Sequence, residues 1–150
     1  MKIKNKDPKL VLVNTEDGDT QWQLEGDYFF HWEFDGSWYR FMIPDGFPSD
    51  GASVPRWLRW LAGRGRFGKL APLVHDYLHA REGFVKVKQL EHPFFGPDPW
   101  LPISPSFFTR KEADKLFFRI MSDQGVKPRW LRRGAYKAVR AWSVLQGDRW

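Results

Sequence analysis

The sequence predicts an α+β fold, in which a small N-terminal antiparallel sheet is followed by three main helices in a single domain over residues 1–150. Two observations support this prediction. Aromatic and polar residues alternate roughly over residues 20–34, just before Asp35-Gly36, a dipeptide typical of tight hairpins. Further along the chain, Thr109 and Glu112 have the spacing of a helix capping box and precede apolar residues with helical periodicity.

The N-terminal third of the chain is predicted to be strands and turns. Residues 9–13 favour a short strand, and Glu16-Asp17-Gly18-Asp19 is a turn signal. Residues 20–34 fit one long strand or two short ones, and residues 37–43 supply the partner strand of the hairpin. Residues 44–51, with two Pro and two Gly, are predicted to be irregular.

The remainder of the chain is predicted to be helices and one long loop. A short helix is expected to begin at Ser53, and the three main helices are expected over residues 72–81, about 110–123 and about 128–145. Residues 92–105 contain five prolines and are predicted to form a loop.

The last helix is predicted to have an apolar inner face and a basic outer face. The inward positions are Leu131, Ala135, Ala138, Val139 and Trp142. The outward positions are Arg129, Arg132, Arg133, Lys137 and Arg140.

Charge is distributed unevenly along the chain. Residues 1–50 contain five Lys or Arg and ten Asp or Glu, whereas residues 51–150 contain 19 Lys or Arg and 8 Asp or Glu. The basic part can attract the acidic part, or it can face phosphate in nucleic acid or in lipid headgroups.

Composition excludes several classes of chemistry. The chain has no cysteine, which rules out disulfides and thiolate catalysis. It has no apolar run of signal-peptide type and none of the roughly 20 residues that a membrane span requires. Nine Trp and thirteen Phe are many for 150 residues, so an aromatic-rich contact face is expected.

The main candidate catalytic residues are His75, Asp76 and Asp114. Because His75 and Asp76 are adjacent on one helix, their side chains point about 100° apart and address different partners. His75 can act as a base, with Asp114 at the edge of the next apolar stripe as the carboxylate that fixes its tautomer, while Asp76 can bind a metal ion. In the alternative interpretation, His75 bonds a backbone group, Asp76 faces water and Asp114 is an exposed carboxylate paired with Arg110 or a nearby lysine.

Two groups of residues suggest metal ligands. His75 and His79 lie four residues apart on one helix face, which is the spacing of two zinc ligands in the motif His-Glu-x-x-His. The loop that contains Asp50 and Ser53 offers carboxylate, hydroxyl and carbonyl oxygens that suit calcium, although an Asx turn produces the same pattern. Calcium is the first expectation and zinc the second, and no small-molecule cofactor is predicted.

Four motifs in a fixed order carry a resemblance. They are Phe47-Pro-Ser-Asp-Gly-Ala-Ser-Val-Pro-Arg56, Leu73-Val-His-Asp-Tyr-Leu-His79, Arg110-x-x-Ala-Asp-x-x-Phe117 and Tyr136-x-Ala-Val-Arg140. Over roughly residues 20–145 the chain resembles a domain family of unknown function that tailed bacteriophages and prophages encode, except that His79 stands where Tyr is expected. The resemblance implies a tail or baseplate protein, located in the virion or in the host cytoplasm before lysis, with other virion proteins as partners.

The two helical motifs also resemble, more distantly, the phospholipase A2 pattern of His-Asp-x-x-Tyr and Ala-Asp-x-x-Phe, especially in its viral capsid version. This resemblance implies that His75 is the general base that activates water and that Asp114 orients it. Asp76 would hold calcium together with carbonyl groups of residues 46–51, and the ion would stabilise the oxyanion. The implied reaction is hydrolysis of a lipid ester of the cell envelope, with membrane lipid as a partner. The chain departs from the pattern at His79 and lacks a recognisable Gly-rich calcium loop.

Two non-catalytic interpretations remain open. In the first, the protein is a structural tail or baseplate module, and His75, Asp76 and Asp114 form a buried network that locks two helices together. In the second, the basic last helix binds nucleic acid, which is the less favoured partner because no recognised binding motif accompanies the charge. An open cleft beside His75 would favour an enzyme, whereas a sealed one would favour the lock.

Overall fold

The computed structural model describes residues 2–3, 5–14, 20–49, 68–90, 100–103 and 106–147. Strands occupy most of the described N-terminal third, as the alternating sequence pattern predicts. They are β1 (Lys2–Ile3), β2 (Leu10–Asn14), β3 (Thr20–Leu24), β4 (Tyr28–Phe34), β5 (Ser37–Ile43) and β6 (Pro48–Ser49). The pattern over residues 20–34 therefore resolves into two strands.

The β4–β5 hairpin forms at the predicted dipeptide. Asp35 and Gly36 have φ angles of 50° and 77°, and two successive positive φ angles are what a two-residue type I′ turn requires. The antiparallel register runs from Phe34 opposite Ser37 to Tyr28 opposite Ile43. The hairpin is the centre of an antiparallel five-stranded sheet with the order β1-β4-β5-β8-β9, where β8 is Lys88–Leu90 and β9 is Trp100–Pro102.

Strands also form where prolines predicted irregular structure. The predictions for residues 44–51 and 92–105 are wrong at Pro48–Ser49, which pairs with β3, and at Trp100–Pro102, which pairs with β8. Both segments are edge strands, where a proline removes no hydrogen bond that the sheet needs. A short strand β7 (Phe84–Val85) pairs with β10 (Ser106–Phe107). The short helix predicted to begin at Ser53 lies outside the described residues.

Three helices follow the N-terminal strands in the described part of the chain, which confirms the α+β class. They are α1 (Leu70–Ala80), α2 (Arg110–Asp123) and α3 (Arg129–Leu145). The predicted capping box of α2 is present, because Glu112 N donates to Thr109 Oγ1 at 3.2 Å and Thr109 N donates to Glu112 Oε2 at 2.8 Å. Among the described residues, no helix combines the length and the apolar character that crossing a membrane requires.

Helix α1 is the central element of the core. Every residue from Leu70 to Leu78 is buried, so this helix has no side that faces water over that length. Towards the strands, the ring of Tyr77 stacks on Phe41 of β5, with ring centroids 5.9 Å apart. Towards α2, Phe117 packs against α1. His75 and Asp76 are therefore both buried, and the interpretation in which Asp76 faces water is wrong.

Helix α3 is amphipathic, but its buried ridge differs from the predicted one at the C-terminal end. The ridge follows steps of four residues through Leu131, Ala135 and Val139 to Ser143, which is fully buried. Trp142, predicted to point inward, is exposed, whereas Arg140, predicted to point outward, is largely covered. Hydropathy favours Trp over Ser as a core residue, but Ser143 is buried because it has a polar partner.

Candidate functional site

The candidate site is built around the carboxylate of Asp114, on the buried side of α2. The imidazole of His75 approaches it from α1, with Nε2 at 3.0 Å from Asp114 Oδ1. His75 is 3% exposed and Asp114 has no exposed surface. The structure thus brings together the two residues that sequence analysis paired. The alternative in which Asp114 is an exposed helix carboxylate is wrong.

Side chains from α1 and α3 surround the same carboxylate. His79, one turn after His75, has its Nε2 at 4.0 Å from Asp114 Oδ1. From α3, Ser143 Oγ donates to Oδ1 at 3.3 Å and Arg140 Nη1 donates to Oδ2 at 3.4 Å. The three helices therefore meet at one buried charge. We call these five residues the Asp114 cluster.

The surroundings of Asp114 keep its carboxylate ionised. Burial alone would raise its pKa, but hydrogen bonds from His75 and Ser143, the nearby imidazole of His79 and the charge of His75 outweigh burial and hold the pKa of Asp114 well below its usual range. An ionised carboxylate can only accept hydrogen bonds. A neutral His75 must therefore carry its proton on Nε2, which leaves the lone pair of the ring on Nδ1.

Three members of the cluster are spaced like metal ligands. One ligand atom each from His75, His79 and Asp114 lies within 4.8 Å of the others, and the two imidazole rings are 4.2 Å apart. Two imidazole nitrogens and one carboxylate oxygen form a donor set that suits zinc-type ions better than calcium. Asp76 is not part of this group.

Asp76 points to a different partner, as expected for a residue adjacent to His75 on a helix. Its Oδ2 accepts a hydrogen bond of 2.9 Å from the buried hydroxyl of Ser49, which ties α1 to β6. The start of the predicted calcium loop therefore does reach Asp76. Calcium takes about six to eight oxygen ligands. Ser49 Oγ and Asp76 Oδ2 would supply only two of them, so this pair of residues alone is not a calcium site. Asp50 and Ser53, the other predicted ligands, lie outside the described residues.

The described residues leave the His75–Asp114 pair largely covered. The ring of Phe117 lies 5.3 Å from the His75 imidazole, centroid to centroid. The partly exposed members of the cluster are His79 and Arg140, whose side chains are 18% and 19% exposed. The approach from solvent that these residues define is at the edge between α1 and α3, not over His75. A covered His75 is the arrangement expected for the lock, and an enzyme would have to admit its substrate from that edge.

Comparison with known families adds the identity of the domain. Residues 22–139, most of the chain, match the family described as Protein of unknown function (DUF1353). The chain belongs to the DUF1353 family. The match includes the cluster residues on α1 and α2, whereas Arg140 and Ser143 lie just beyond it. No curated protein and no solved structure matches the chain. The predicted membership in a family of unknown function is thus confirmed.

Sequence reasoning missed the two α3 members of the cluster in this DUF1353 protein. Arg140 was assigned to the solvent face of α3, and Ser143 was assigned no role. A signal for Ser143 does exist, since it continues the four-residue series that passes through Val139. Arg140 lies three residues before Ser143 and so shares its side of the helix, which brings both to Asp114.

A second polar group lies on the other face of the five-stranded sheet in this DUF1353 protein. The guanidinium of Arg40 is 4.9 Å from the Phe29 ring centroid and 4.4 Å from that of Trp100, and the His31 ring is 5.4 Å from Trp100. Burial lowers the pKa of His31, and the charge of Arg40 lowers it further, against a backbone hydrogen bond at Phe29 that raises it. Part of the predicted aromatic surface is thus stacked around a cation.

Proposed function

We propose that this DUF1353 protein is a hydrolase in which His75 is the general base and Asp114 orients it. One observation carries the proposal: the buried 3.0 Å contact between His75 Nε2 and Asp114 Oδ1. Because the Asp114 carboxylate is ionised, it holds the imidazole in the tautomer whose Nδ1 can accept a proton. The same carboxylate stabilises the imidazolium that forms after proton transfer.

The reaction that this pair can catalyse is hydrolysis of an ester. Water attacks the carbonyl carbon while His75 Nδ1 takes one of its protons. The tetrahedral intermediate then collapses, the bond between carbon and the ester oxygen breaks, and His75 returns the proton to the departing alkoxide. The products are a carboxylic acid and an alcohol, and the pair is restored. No step in this sequence passes through a metal ion.

The substrate that we propose is a lipid ester of the bacterial cell envelope, which follows from the phospholipase-like order of the motifs. Phe117 covers His75 on one side. The substrate would therefore approach from the edge at which His79 and Arg140 are partly exposed.

The test is hydrolysis of phosphatidylglycerol vesicles and of a soluble p-nitrophenyl ester by the wild type, His75→Gln and Asp114→Asn. Loss of a positioned general base lowers the rate by about 10²- to 10⁴-fold, so we expect His75→Gln to lose at least about 100-fold in kcat. Asp114→Asn is expected to lose activity as well, because an amide can donate to the imidazole and favour the other tautomer.

Arg119→Gln is the control, because Arg119 is exposed on α2 and lies outside the Asp114 cluster. It is expected to retain most of the activity. Circular dichroism and urea unfolding of each variant separate lost activity from lost folding. The proposal is contradicted when His75→Gln keeps wild-type activity, or when the wild type cleaves neither ester with or without added calcium.

A second candidate function is a non-catalytic module in which the Asp114 cluster locks the helices together. The observation that favours it is burial: Asp114 has no exposed surface and is contacted from both α1 and α3. On this proposal the wild type has no hydrolytic activity, and His75→Gln and Asp114→Asn change only the free energy of unfolding. The same assays thus separate the two candidates.

For either candidate we propose that the protein is part of a phage tail or baseplate, with other virion proteins as partners. The order of the sequence motifs supports this placement. Mass spectrometry of purified phage particles tests it. Detection of the chain at a fixed ratio to a known tail protein is the expected result, and its absence from intact particles would contradict the placement.

A further inference from the structure

The outer face of α3 carries a concentration of positive charge. Residues 127–147 contain six Lys or Arg and no Asp or Glu. Two of these cations are directed inward, because Arg140 donates to Asp114 and Arg132 donates to the carbonyl of Ser122 at 3.4 Å. Arg133 and Lys137, one helical turn apart, are exposed. These two residues make the outer face of α3 cationic.

The same face also exposes large apolar side chains. Trp130 begins it, and Val144 and Leu145 end it, with Leu145 79% exposed. A shallow depression of about 530 Å³ lies along its C-terminal half. The lining residues are Tyr136, Lys137, Arg140, Ala141, Val144 and Leu145. These exposed residues share one side of the helix, because they follow one another at steps of one, three or four. They are residues 130, 133, 137, 141, 144 and 145. We call this side the outer α3 face.

We propose that the outer α3 face docks on an anionic lipid bilayer. Lys and Arg beside a bilayer are attracted by anionic headgroups, and Trp is favoured at the boundary between headgroups and acyl chains. The apolar ridge of α3 packs into the core, so docking would use only the exposed side chains of the outer α3 face, with the apolar ones inserted at the interface. Arg133 and Lys137 would contact headgroup phosphates, while Val144 and Leu145 at the C-terminal end would enter the acyl boundary.

The apolar residues favour a bilayer over nucleic acid as the occupant. Phosphates of DNA or RNA would satisfy Arg133 and Lys137 equally well. A nucleic acid would, however, place its polar sugar-phosphate backbone against Val144, Leu145 and the depression beside them. Aliphatic side chains gain little binding free energy from such a contact. A bilayer offers anionic groups and an apolar layer within one helix diameter, which matches the two halves of the face.

Docking in this way would bring the Asp114 cluster near the bilayer surface. Arg140 lines the depression on α3 and also contacts Asp114, so it links the outer α3 face to the cluster. The docking proposal does not depend on hydrolysis, since it concerns binding alone and its readout is the vesicle-bound fraction of protein. A protein that binds vesicles without cleaving them would support docking and contradict only the hydrolase proposal.

The test is co-sedimentation of the full chain with vesicles of phosphatidylcholine alone or mixed with phosphatidylglycerol, at low and at physiological salt. We expect binding to the mixed vesicles that weakens with salt. The double variant Arg133→Glu with Lys137→Glu should lose at least about 25-fold in partition coefficient, because each basic residue near an anionic surface contributes about five-fold. Val144→Asp with Leu145→Asp should lose about ten-fold or more, since it removes the inserted aliphatic groups.

Lys111→Glu with Lys115→Glu is the matched control, because these lysines are also exposed and four residues apart, but on α2. It is expected to bind mixed vesicles like the wild type. The proposal is overturned when the wild type does not bind mixed vesicles at low salt, binds pure phosphatidylcholine equally well, or is affected equally by the control. Binding to an oligonucleotide that the α3 charge reversals abolish, without vesicle binding, would instead identify a nucleic-acid face.

Discussion

The Asp114 cluster and the Arg40 group on the five-stranded sheet stabilise a charged side chain in two different ways. Asp114 is a buried anion whose partners are hydrogen-bond donors from α1 and α3. Arg40 is a cation flanked by the rings of Phe29 and Trp100, at the level of the sheet surface. A buried carboxylate is stable only when donors replace its water, whereas a guanidinium can rest on aromatic faces and stay partly hydrated.

Each region contains a histidine, and the neighbouring charge gives the two histidines different roles. His75 faces an anion, which fixes its tautomer and would stabilise its protonated form. His31 faces the cation Arg40 and is partly buried, and both effects lower its pKa and keep the ring neutral. Histidine alone therefore says little about function. The charge placed beside it by the tertiary structure decides whether it can serve as a base.

The largest expected effect is the loss of unfolding free energy in Asp114→Ala, which removes the anion of the Asp114 cluster. Removing one partner of a buried, hydrogen-bonded charge pair costs about 3–5 kcal/mol, because the donors of His75, Ser143 and Arg140 lose their acceptor. Urea unfolding followed by circular dichroism measures the change. The control is Asp123→Ala on the same helix, which removes a partly exposed pair with Arg119 and should cost about 0.5 kcal/mol or less. Equal losses in the two variants would contradict a special role for the cluster.

Acid should weaken the cluster in a defined direction. The pKa of Asp114 is lowered in the folded chain, from an ordinary value of 3.8. Its stabilising contribution is therefore fully present well above pH 3.8 and is lost as the pH falls below that value. Among the described residues, the charged or titratable groups that face it are His75 and His79 from α1 and Arg140 from α3. The difference in unfolding free energy between the wild type and Asp114→Asn should shrink between pH 5 and pH 2, and a constant difference would contradict this.

Zinc offers a smaller and more selective perturbation. It is expected to bind His75, His79 and Asp114 and to inhibit hydrolysis, because it would occupy the base and its carboxylate. His79→Tyr should lower zinc affinity at least about ten-fold, since loss of a ligand should cost no less than loss of an outer partner. Calorimetric titration measures the affinity, with calcium as the control ion. Activation by zinc, or an unchanged affinity in His79→Tyr, would contradict this assignment.

The smallest expected effect concerns His31 on the sheet. In an NMR titration, its imidazole should have a pKa below 6.5. Arg40→Gln should raise that pKa only slightly, because burial is the larger cause and remains in the variant. A pKa above 6.5 in the wild type would contradict the lowering of the His31 pKa. A large rise in Arg40→Gln would show that the charge of Arg40, not burial, is the larger cause.

The parts of the fold that were predicted correctly rest on local signals. The hairpin at Asp35-Gly36 and the capping box of Thr109 and Glu112 each lie within a few residues, and both form as predicted. The strands at Pro48–Ser49 and Trp100–Pro102 were missed, because each pairs with a separate chain segment that a local pattern does not reveal. Proline argues against a strand locally, yet an edge position removes that objection.

The candidate site divides in the same way. Local periodicity is enough to derive that His75 and Asp76 address different partners and that Asp114, on an apolar stripe, needs a partner. It cannot show that Arg140 and Ser143 complete the cluster, because this depends on the rotation and crossing of α3 against α2. A helix has the same 3.6-residue period whichever way it is turned, so burial of polar residues such as Ser143 and Arg140 is decided only when neighbouring helices pack.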